Sequence, residues 1–273
     1  MIESHPLPQS VEEEIKWAYK ELVNYLIKSG DEGFKLAVRS SATTEDLPGA
    51  SFAGQFDTFL GIRGQDELLE AVKKCWSSLF TARAIAYRNA RGIPAEGSSM
   101  SVGVQKMIEA KAAGVLFTLD PVTGNRAKII INANWGLGES IAKGITNVDF
   151  FVVNKVTLEI IRKDISVKKL QSVVDYEKGE VIETEVPPQA RALPCLRDEE
   201  VKELARQAKL IEQHYRRAQD IEFAIDKRLE FPQNIFIIQS RPETKWSAQI
   251  KPIMKPKGHI AEHLVSWFRG KLE

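Results

Sequence analysis

The sequence predicts an α+β fold, and three observations carry that prediction. Amphipathic helical stripes lie near the start and near the end of the chain, and the stretch between them is dominated by short β-rich runs. The order of the two kinds of element does not alternate as a doubly wound sheet requires. At 273 residues with 43% hydrophobic side chains, the chain is long enough for one large or two small cored units. No internal repeat or low-complexity tract interrupts it.

The elements follow in order. Val11, Ile15, Ala18, Leu22 and Tyr25 recur in steps of three and four and form one helical stripe. Ser10, with Glu13 three residues on, predicts a capping box at its start. Leu36-Ala37-Val38 reads as a buried strand ending at Arg39, and the Ser-, Thr- and Gly-rich stretch from Arg39 to Gly64 reads as a functional loop between packed elements. A second helix has the stripe Leu69, Val72, Trp76, Leu79 and Arg83, with Trp76 and the aromatics between Phe80 and Tyr87 assigned to the core. From Ser101 onward Val102, Val104, Gly114 to Phe117, Ile129 to Ile131 and Phe150 to Val153 are β-rich runs broken by Gly, Pro, Asp and Asn. A third helix follows Arg197, with Asp198 as N-cap and Val201, Leu204, Ala208, Ile211 and Tyr215 as its stripe. Two strands, Asp220 to Asp226 and Asn234 to Ser240, close the core. Lys245 to Glu273 is Lys- and Pro-rich until a short amphipathic segment (Ile260, Leu264, Trp267, Phe268), which reads as a linker and a docking helix.

Composition narrows the function. With 38 Lys+Arg against 37 Asp+Glu, the net charge of +1 argues against broad electrostatic binding to nucleic acid or an anionic membrane, so any bound anion must be held at a local site. The two cysteines, Cys75 and Cys195, form no CxxC, which leaves neither a disulfide framework nor a thiolate zinc site. The N-terminus lacks the apolar core of a signal peptide and no uncharged stretch of about 18 residues occurs. A soluble, cytoplasmic protein is the expectation.

The closing strands are the most informative segment on physical grounds. A period of two sends Ile221, Phe223 and Ile225 to one face and Asp220, Glu222 and Asp226 to the other. A turn centred near Glu230 and Phe231 sets Glu222 opposite Gln239, with Cβ atoms about 4.5 to 5.5 Å apart. A carboxylate and an amide carbonyl at that distance can share one hard cation. Magnesium prefers oxygen ligands and completes its shell with water and phosphate oxygens, so two protein ligands suffice if a nucleotide supplies others. An ordinary half-exposed hairpin alternates in the same way. Ile235 to Ile238, however, is too apolar for a solvated edge and ends abruptly in Gln239, Ser240 and Arg241.

The second informative segment runs from Ala37 through Gly49 and Gly54 to Thr58. Hydroxyls beside the Arg39 guanidinium, followed by a Gly-punctuated loop, could hold phosphate oxygens, although such a loop taken alone is also a plain turn. It is not a P-loop: Gly49 and Gly54 have the Walker spacing, but Gln55 and Phe56 replace the Lys and Ser/Thr. Gly136-Leu137-Gly138 lacks the third glycine of a dinucleotide fingerprint, since Ile141 stands there. Asp120-Pro121 could approach phosphates or simply start a turn, and Lys111 either faces the site or is solvated.

Taken in order, AVRSSATTEDLPGASFAGQFDTFL, CWSSLFTARAIAYR, VQKMI, GVLFTLDPVTG, NWGLGES, DIEFAID and IIQSRPET closely resemble the nucleotide-binding domain of the phosphoenolpyruvate synthase and pyruvate phosphate dikinase family, whose relatives include rifamycin phosphotransferases and phenylphosphate synthases. The resemblance spans about Pro6 to Thr244. It implies an ATP-grasp-like, two-lobed fold: residues 1–100 as a partial first lobe with the phosphate loop, 101–244 as a second lobe with the metal hairpin, and 245–273 as linker and tail helix. It also implies ATP and Mg2+ as ligands. Arg39, Gly54 and Thr58 would meet the phosphates, the adenine would lie against Val104 to Ile108 near Gln105, and Gly136 to Glu139 would face the triphosphate. Glu222 and Gln239 match the metal ligands, with Asp220 and Arg241 beside them on the phosphate side. Arg39 and Arg241 are the residues expected to act in catalysis. The implied activity passes phosphate from ATP to a histidine on a swivelling domain, which delivers it to an acceptor-substrate domain, leaving AMP and phosphate.

The chain departs from this pattern in two places. The GGKG-like stretch that opens family members, whose Lys reaches the phosphates, has no counterpart, so the fold is expected to be N-terminally truncated relative to the family. The four histidines, His5, His214, His259 and His263, lie outside any Thr-x-Gly-Gly-x-x-x-His-like segment, which puts the swivelling and acceptor domains in trans or removed from this chain. A non-catalytic nucleotide-binding or scaffolding module and a fragment of a rifamycin- or phenol-directed phosphotransferase are the alternatives.

Overall fold

The structure is a computed structural model that describes residues 2–31, 33–43, 54–94, 98–142, 144, 147–175 and 180–246. The elements run α1 (Gln9–Lys28), β1 (Leu36–Ala42), β2 (Thr58–Ile62), α2 (Gly64–Ser78), α3 (Ala82–Ala90), β3 (Met100–Lys106), β4 (Ala110–Phe117), β5 (Lys128–Trp135), α4 (Glu139–Ala142), β6 (Asp149–Asn154), β7 (Ile160–Asp164), β8 (Leu170–Asp175), β9 (Glu180–Glu185), α5 (Asp198–Tyr215), β10 (Gln219–Asp226) and β11 (Ile235–Pro242). All the strand pairs are antiparallel: a three-stranded sheet in the order β2-β1-β3, a six-stranded sheet in the order β11-β10-β4-β5-β6-β7, and the β8-β9 hairpin. Mixed helix with antiparallel sheet is the α+β class that the sequence predicts. Gly49 and the tail segment Ile260 to Phe268 lie outside the described residues.

Each larger sheet buries one face under helices. In the first, Leu36 and Val38 pack with Leu68, Ala71, Val72 and Cys75 of α2, and Ile15, Tyr19 and Leu22 of α1 cover the cluster. The buried stripe of α1 is therefore displaced from the predicted one, leaving Tyr25 68% exposed. The helix also starts at Gln9, one residue before Ser10, so no capping box forms there and Pro8 is the N-cap. In α2 the buried set is Leu68, Ala71, Val72, Cys75 and Ser78; Trp76 packs against the core as expected, whereas Phe80 is 53% exposed. Strand β3, grouped by its texture with the later strands, is hydrogen-bonded to β1 along its whole length.

The six-stranded sheet packs Ile129, Ile131, Phe151, Ile221, Phe223 and Ile225 against Val201, Leu204, Ala205 and Ala208 of α5. Arg197, not Asp198, is the N-cap of α5: its backbone N–H donates to the Glu200 carboxylate at 2.8 Å, one half of a capping box, while the Arg197 side chain, which has no acceptor, cannot supply the other half. Gly114 is required where β4 crosses this core. A Cβ there would lie 2.1 Å from the Asn132 carbonyl oxygen and 2.7 Å from the Phe223 ring.

Two buried groups matter for stability. Lys168 and Asp149, both fully buried, pair at 2.5 Å. The remaining capacity of the Asp149 carboxylate is filled by the N–H groups of Ser166 at 3.1 Å and Cys195 at 2.8 Å. Both cysteines are buried and free. Burial, with Asp57 adding, pushes the Cys75 thiol up to about 12, and burial together with Asp149 pushes Cys195 higher still. A thiol reagent in mildly alkaline buffer should leave the native protein unlabelled and modify both residues only on denaturation. Cys75→Ser should lower stability without changing nucleotide binding, as thermal melts and calorimetry would check.

Candidate functional site

The faces of the two sheets turned away from α1, α2 and α5 carry the candidate residues. Because Leu36 and Val38 point into the helical core, Ala37 and Arg39 project from the opposite face of β1. Thr58 on β2 lies opposite Arg39, and Gln105 on β3 lies opposite Ala37, so all three polar residues share that face. On β10, Ile221 and Phe223 point into the core under α5, which turns Asp220 and Glu222 to the other side.

The β10–β11 register is shaped by a bulge. Ile225, Ala224 and Phe223 pair with Ile235, Phe236 and Ile237; the register then shifts, and Glu222 pairs with Gln239, Ile221 with Ser240 and Asp220 with Arg241. Ile238 is the extra residue. Had the inner register continued, Ile238 would oppose Glu222 and Gln239 would join Ile221 on the core face, since a one-residue slip exchanges the faces of a strand. The predicted Glu222–Gln239 pairing is thus present, through a device the period-two reading did not contain. Behind it, Ser240 Oγ donates to Gln219 Oε1 at 2.8 Å and the Gln219 N–H donates to Thr118 Oγ1 at 2.8 Å, a largely buried polar tie from β11 through β10 to the residue that follows β4.

Arg39 joins the two sheets. Its Nη2 donates to Glu222 Oε2 at 2.8 Å and to Gln239 Oε1 at 2.7 Å. Arg241 Nη2 donates to the other Glu222 oxygen at 3.3 Å, and its Nε lies 3.5 Å from Asp220 Oδ2. The Arg39 and Glu222 side chains keep 20% and 26% of their exposure, so the cluster opens to solvent. Arg39, Asp220, Glu222, Gln239 and Arg241 form one connected set.

Two members of this set are suited to a divalent cation. Two oxygens of different residues converge on one nitrogen at 2.8 and 2.7 Å, which is the arrangement of a two-point chelate, and both are the hard donors that magnesium takes. Among the described residues no group of three or more His, Cys, Asp or Glu side chains is placed to hold a metal. The donors fit the ion, and a guanidinium charge stands between them.

The other candidates are less closely joined. Gly54 has φ +68° and is exposed before β2. Glu139 opens α4, and the preceding Gly136 has φ +72°, with the Leu137 N–H donating to the Ser172 carbonyl of β8 at 2.8 Å. A Cβ on Gly138 would lie 3.7 Å from that of Ala113, two residues along β4 from the Val115 that flanks Glu222, so this turn covers the Glu222 face. A Cβ on Gly136 would come within 2.3 Å of the Ser172 carbonyl oxygen. Gly136→Ala should therefore cost about 1–3 kcal/mol of stability and loosen the turn, read by a thermal melt and by weaker nucleotide binding.

Some residues are used elsewhere. The Asp120 carboxylate accepts from Thr123 Oγ1 and from the N–H groups of Val122 and Thr123, which holds it below the usual carboxylate range and makes it a turn starter. Lys111 approaches Glu200 at 3.9 Å, toward α5. His214 lies in the last turn of α5 against Tyr215. His259 and His263 lie outside the described residues. Trp246 carried no signal in the sequence, yet its ring covers Gly124 and its Nε1 donates to the Pro121 carbonyl at 3.0 Å, fastening the chain beyond β11 to the turn after β4.

Fold and site together define an α+β domain whose two antiparallel sheets meet at a carboxylate–amide pair bound by arginine. The profile of the family described as pyruvate phosphate dikinase, AMP/ATP-binding domain, matches residues 1–260, and the chain belongs to that family. It is 47% identical over 263 residues to a probable phosphoenolpyruvate synthase of Staphylothermus marinus, covering 89% of this chain and 31% of that protein. It is 42% identical over 275 residues to the phosphoenolpyruvate synthase of Aeropyrum pernix, covering 90% and 33% respectively. With the phosphoenolpyruvate synthase of Escherichia coli K12 it shares 39% over 277 residues, covering 98% of this chain and 33% of that protein. The chain spans about a third of the length of the curated relatives it matches. Among the described residues no helix is long and apolar enough to cross a membrane.

Proposed function

We propose that this chain is the ATP-binding, magnesium-dependent phosphotransfer module of a phosphoenolpyruvate synthase or dikinase type of enzyme, built as an ATP-grasp clamp of two lobes. The observation that carries this reading is the convergence of Glu222 Oε2 and Gln239 Oε1 on one point at the junction of the two sheets. Glu222 and Gln239 would hold the metal. Magnesium, when bound, would neutralise charge on the transferring phosphoryl oxygens. Arg39 and Arg241 would do the same from the protein side, with Asp220 keeping the Arg241 guanidinium turned toward the site. Gly54, Thr58 and the turn Gly136 to Glu139 would line the phosphates, and Gln105 would lie beside the adenine along Val104 to Ile108.

The acceptor would be a histidine on a swivelling domain, which passes the group to an acceptor-substrate domain while AMP and phosphate leave. These domains would reside on other chains or on the remainder of a longer one, in keeping with relatives about three times as long. The general base at the acceptor would belong to the partner domain, since little covalent chemistry is asked of the clamp beyond alignment and charge neutralisation. Incubating the chain with labelled ATP and a candidate phosphohistidine domain tests this. Stable label on the partner histidine together with AMP is the expected result, and ATP that binds but is never consumed would reduce the chain to a nucleotide-binding module.

A further inference from the structure

Arg39 Nη2 sits between the two oxygens that would hold the metal. It touches one oxygen from each of two residues, at 2.8 and 2.7 Å, and its positive charge satisfies Glu222 as a cation would. Arg39 comes from the first sheet, whereas both acceptors belong to the second. One side chain therefore neutralises the carboxylate and also ties the two sheets together.

We propose that Arg39 is a resident substitute cation that excludes free divalent ions from the Glu222–Gln239 pair, so that the pair accepts a metal only together with a phosphate-bearing ligand. This rests on the functional reading above and adds its regulation. A divalent ion arriving alone must break two hydrogen bonds donated by a charged guanidinium, one of them to a carboxylate, and leave that guanidinium half-buried beside a like charge. Arg39 can leave at low cost only when another anion receives it. A polyphosphate is such an anion, and Arg39 lies on the face that also carries Thr58 and Gln105. Arg241 adds to the selection, because it occupies the second Glu222 oxygen and keeps the carboxylate compensated on both sides. The consequence for the molecule is a clamp that does not load with magnesium or manganese in the absence of nucleotide.

The test is a manganese titration of the full chain without nucleotide, followed by electron paramagnetic resonance of the free ion. Arg39→Met keeps the stem and removes the charge; it should bind manganese about tenfold or more tightly than the wild type, the scale set by a charge-assisted hydrogen bond. Arg39→Lys should stay near wild type, and adding Glu222→Ala to Arg39→Met should abolish the gain. If Arg39→Met binds manganese no better than wild type, while wild-type binding of manganese with ATP still depends on Glu222, the exclusion role is wrong and the functional reading stands. If binding with ATP is also indifferent to Glu222, the functional reading itself fails. A second measurement needs no substitution in the observed sample: in wild-type protein with labelled arginine, the Arg39 side-chain resonance should be unmoved by magnesium alone and should shift with magnesium and ATP together. Movement with magnesium alone would overturn the proposal.

Discussion

Glu222→Ala should remove the magnesium dependence of ATP binding, lowering affinity in magnesium about ten- to a hundredfold while leaving the fold intact. Glu222 engages both of its oxygens, Oε2 with Arg39 and Oε1 with Arg241, and it is the charged half of the proposed chelate. Losing one charge-assisted contact costs about 1.5–3 kcal/mol, which sets the fold-change. The side chain is half-buried, and its neighbours Ile221 and Phe223 hold the strand from the opposite face, so melting should change little. Glu222→Gln, which retains an oxygen donor but no charge, should fall between. The measurement is calorimetry of ATP with and without magnesium; identical curves for wild type and Glu222→Ala under both conditions would remove the metal assignment.

The largest stability effect should come from Asp149→Ala, about 3–5 kcal/mol. It strands the Lys168 ammonium in a fully buried position and leaves the N–H groups of Ser166 and Cys195 without their acceptor. Against a total stability of roughly 5–15 kcal/mol for a domain, that is enough to lower the yield of folded protein. Lys168→Met should cost less, because the remaining carboxylate keeps two backbone donors. Replacing both residues with apolar ones should recover much of the loss, since the desolvation of two charges then disappears. Urea unfolding followed by tryptophan fluorescence reads all three variants, and an Asp149→Ala protein within about 1 kcal/mol of wild type would show that the pair is dispensable.

The sequence was a good guide wherever one face of an element carried the whole signal. Ile221, Phe223 and Ile225 alternate against a single core, and that alternation placed Asp220 and Glu222 on the other face correctly. Helix stripes were less well located. In α1, Ile15, Tyr19, Leu22 and the buried Leu26 do the packing, and the apolar Tyr25 faces outward, because a helix with apolar residues on several sides does not declare which side a sheet will cover. The N-caps lie earlier than predicted, by two residues in α1 and one in α5: Pro8 and Arg197 hold those positions, while Ser10 and Asp198 lie inside the first turns. The Arg39–Glu222–Gln239 contact was beyond periodicity altogether. It joins residues far apart in the chain, for which the family resemblance implies a shared nucleotide site but not this contact. The bulge at Ile238, the Thr118–Gln219–Ser240 tie and the Trp246–Gly124 contact left no local trace, since each depends on tertiary neighbours.

The bulge also constrains how this hairpin can diverge. Length changes confined to the turn between Asp226 and Ile235 leave the outer ladder untouched, and substitutions at Ile238 preserve the count of residues. Deleting Ile238 would remove the bulge and let the inner register run on with Gln239 still opposite Glu222, whereas adding one residue between Ile235 and Gln239, with the single bulge kept, would rotate Gln239 inward beside Ile221 and carry Arg241 away from Asp220. Among descendants of this sequence, the turn should tolerate gain and loss of residues, whereas this short stretch of β11 should vary in side-chain identity and accept the loss of its bulge residue but no further insertion.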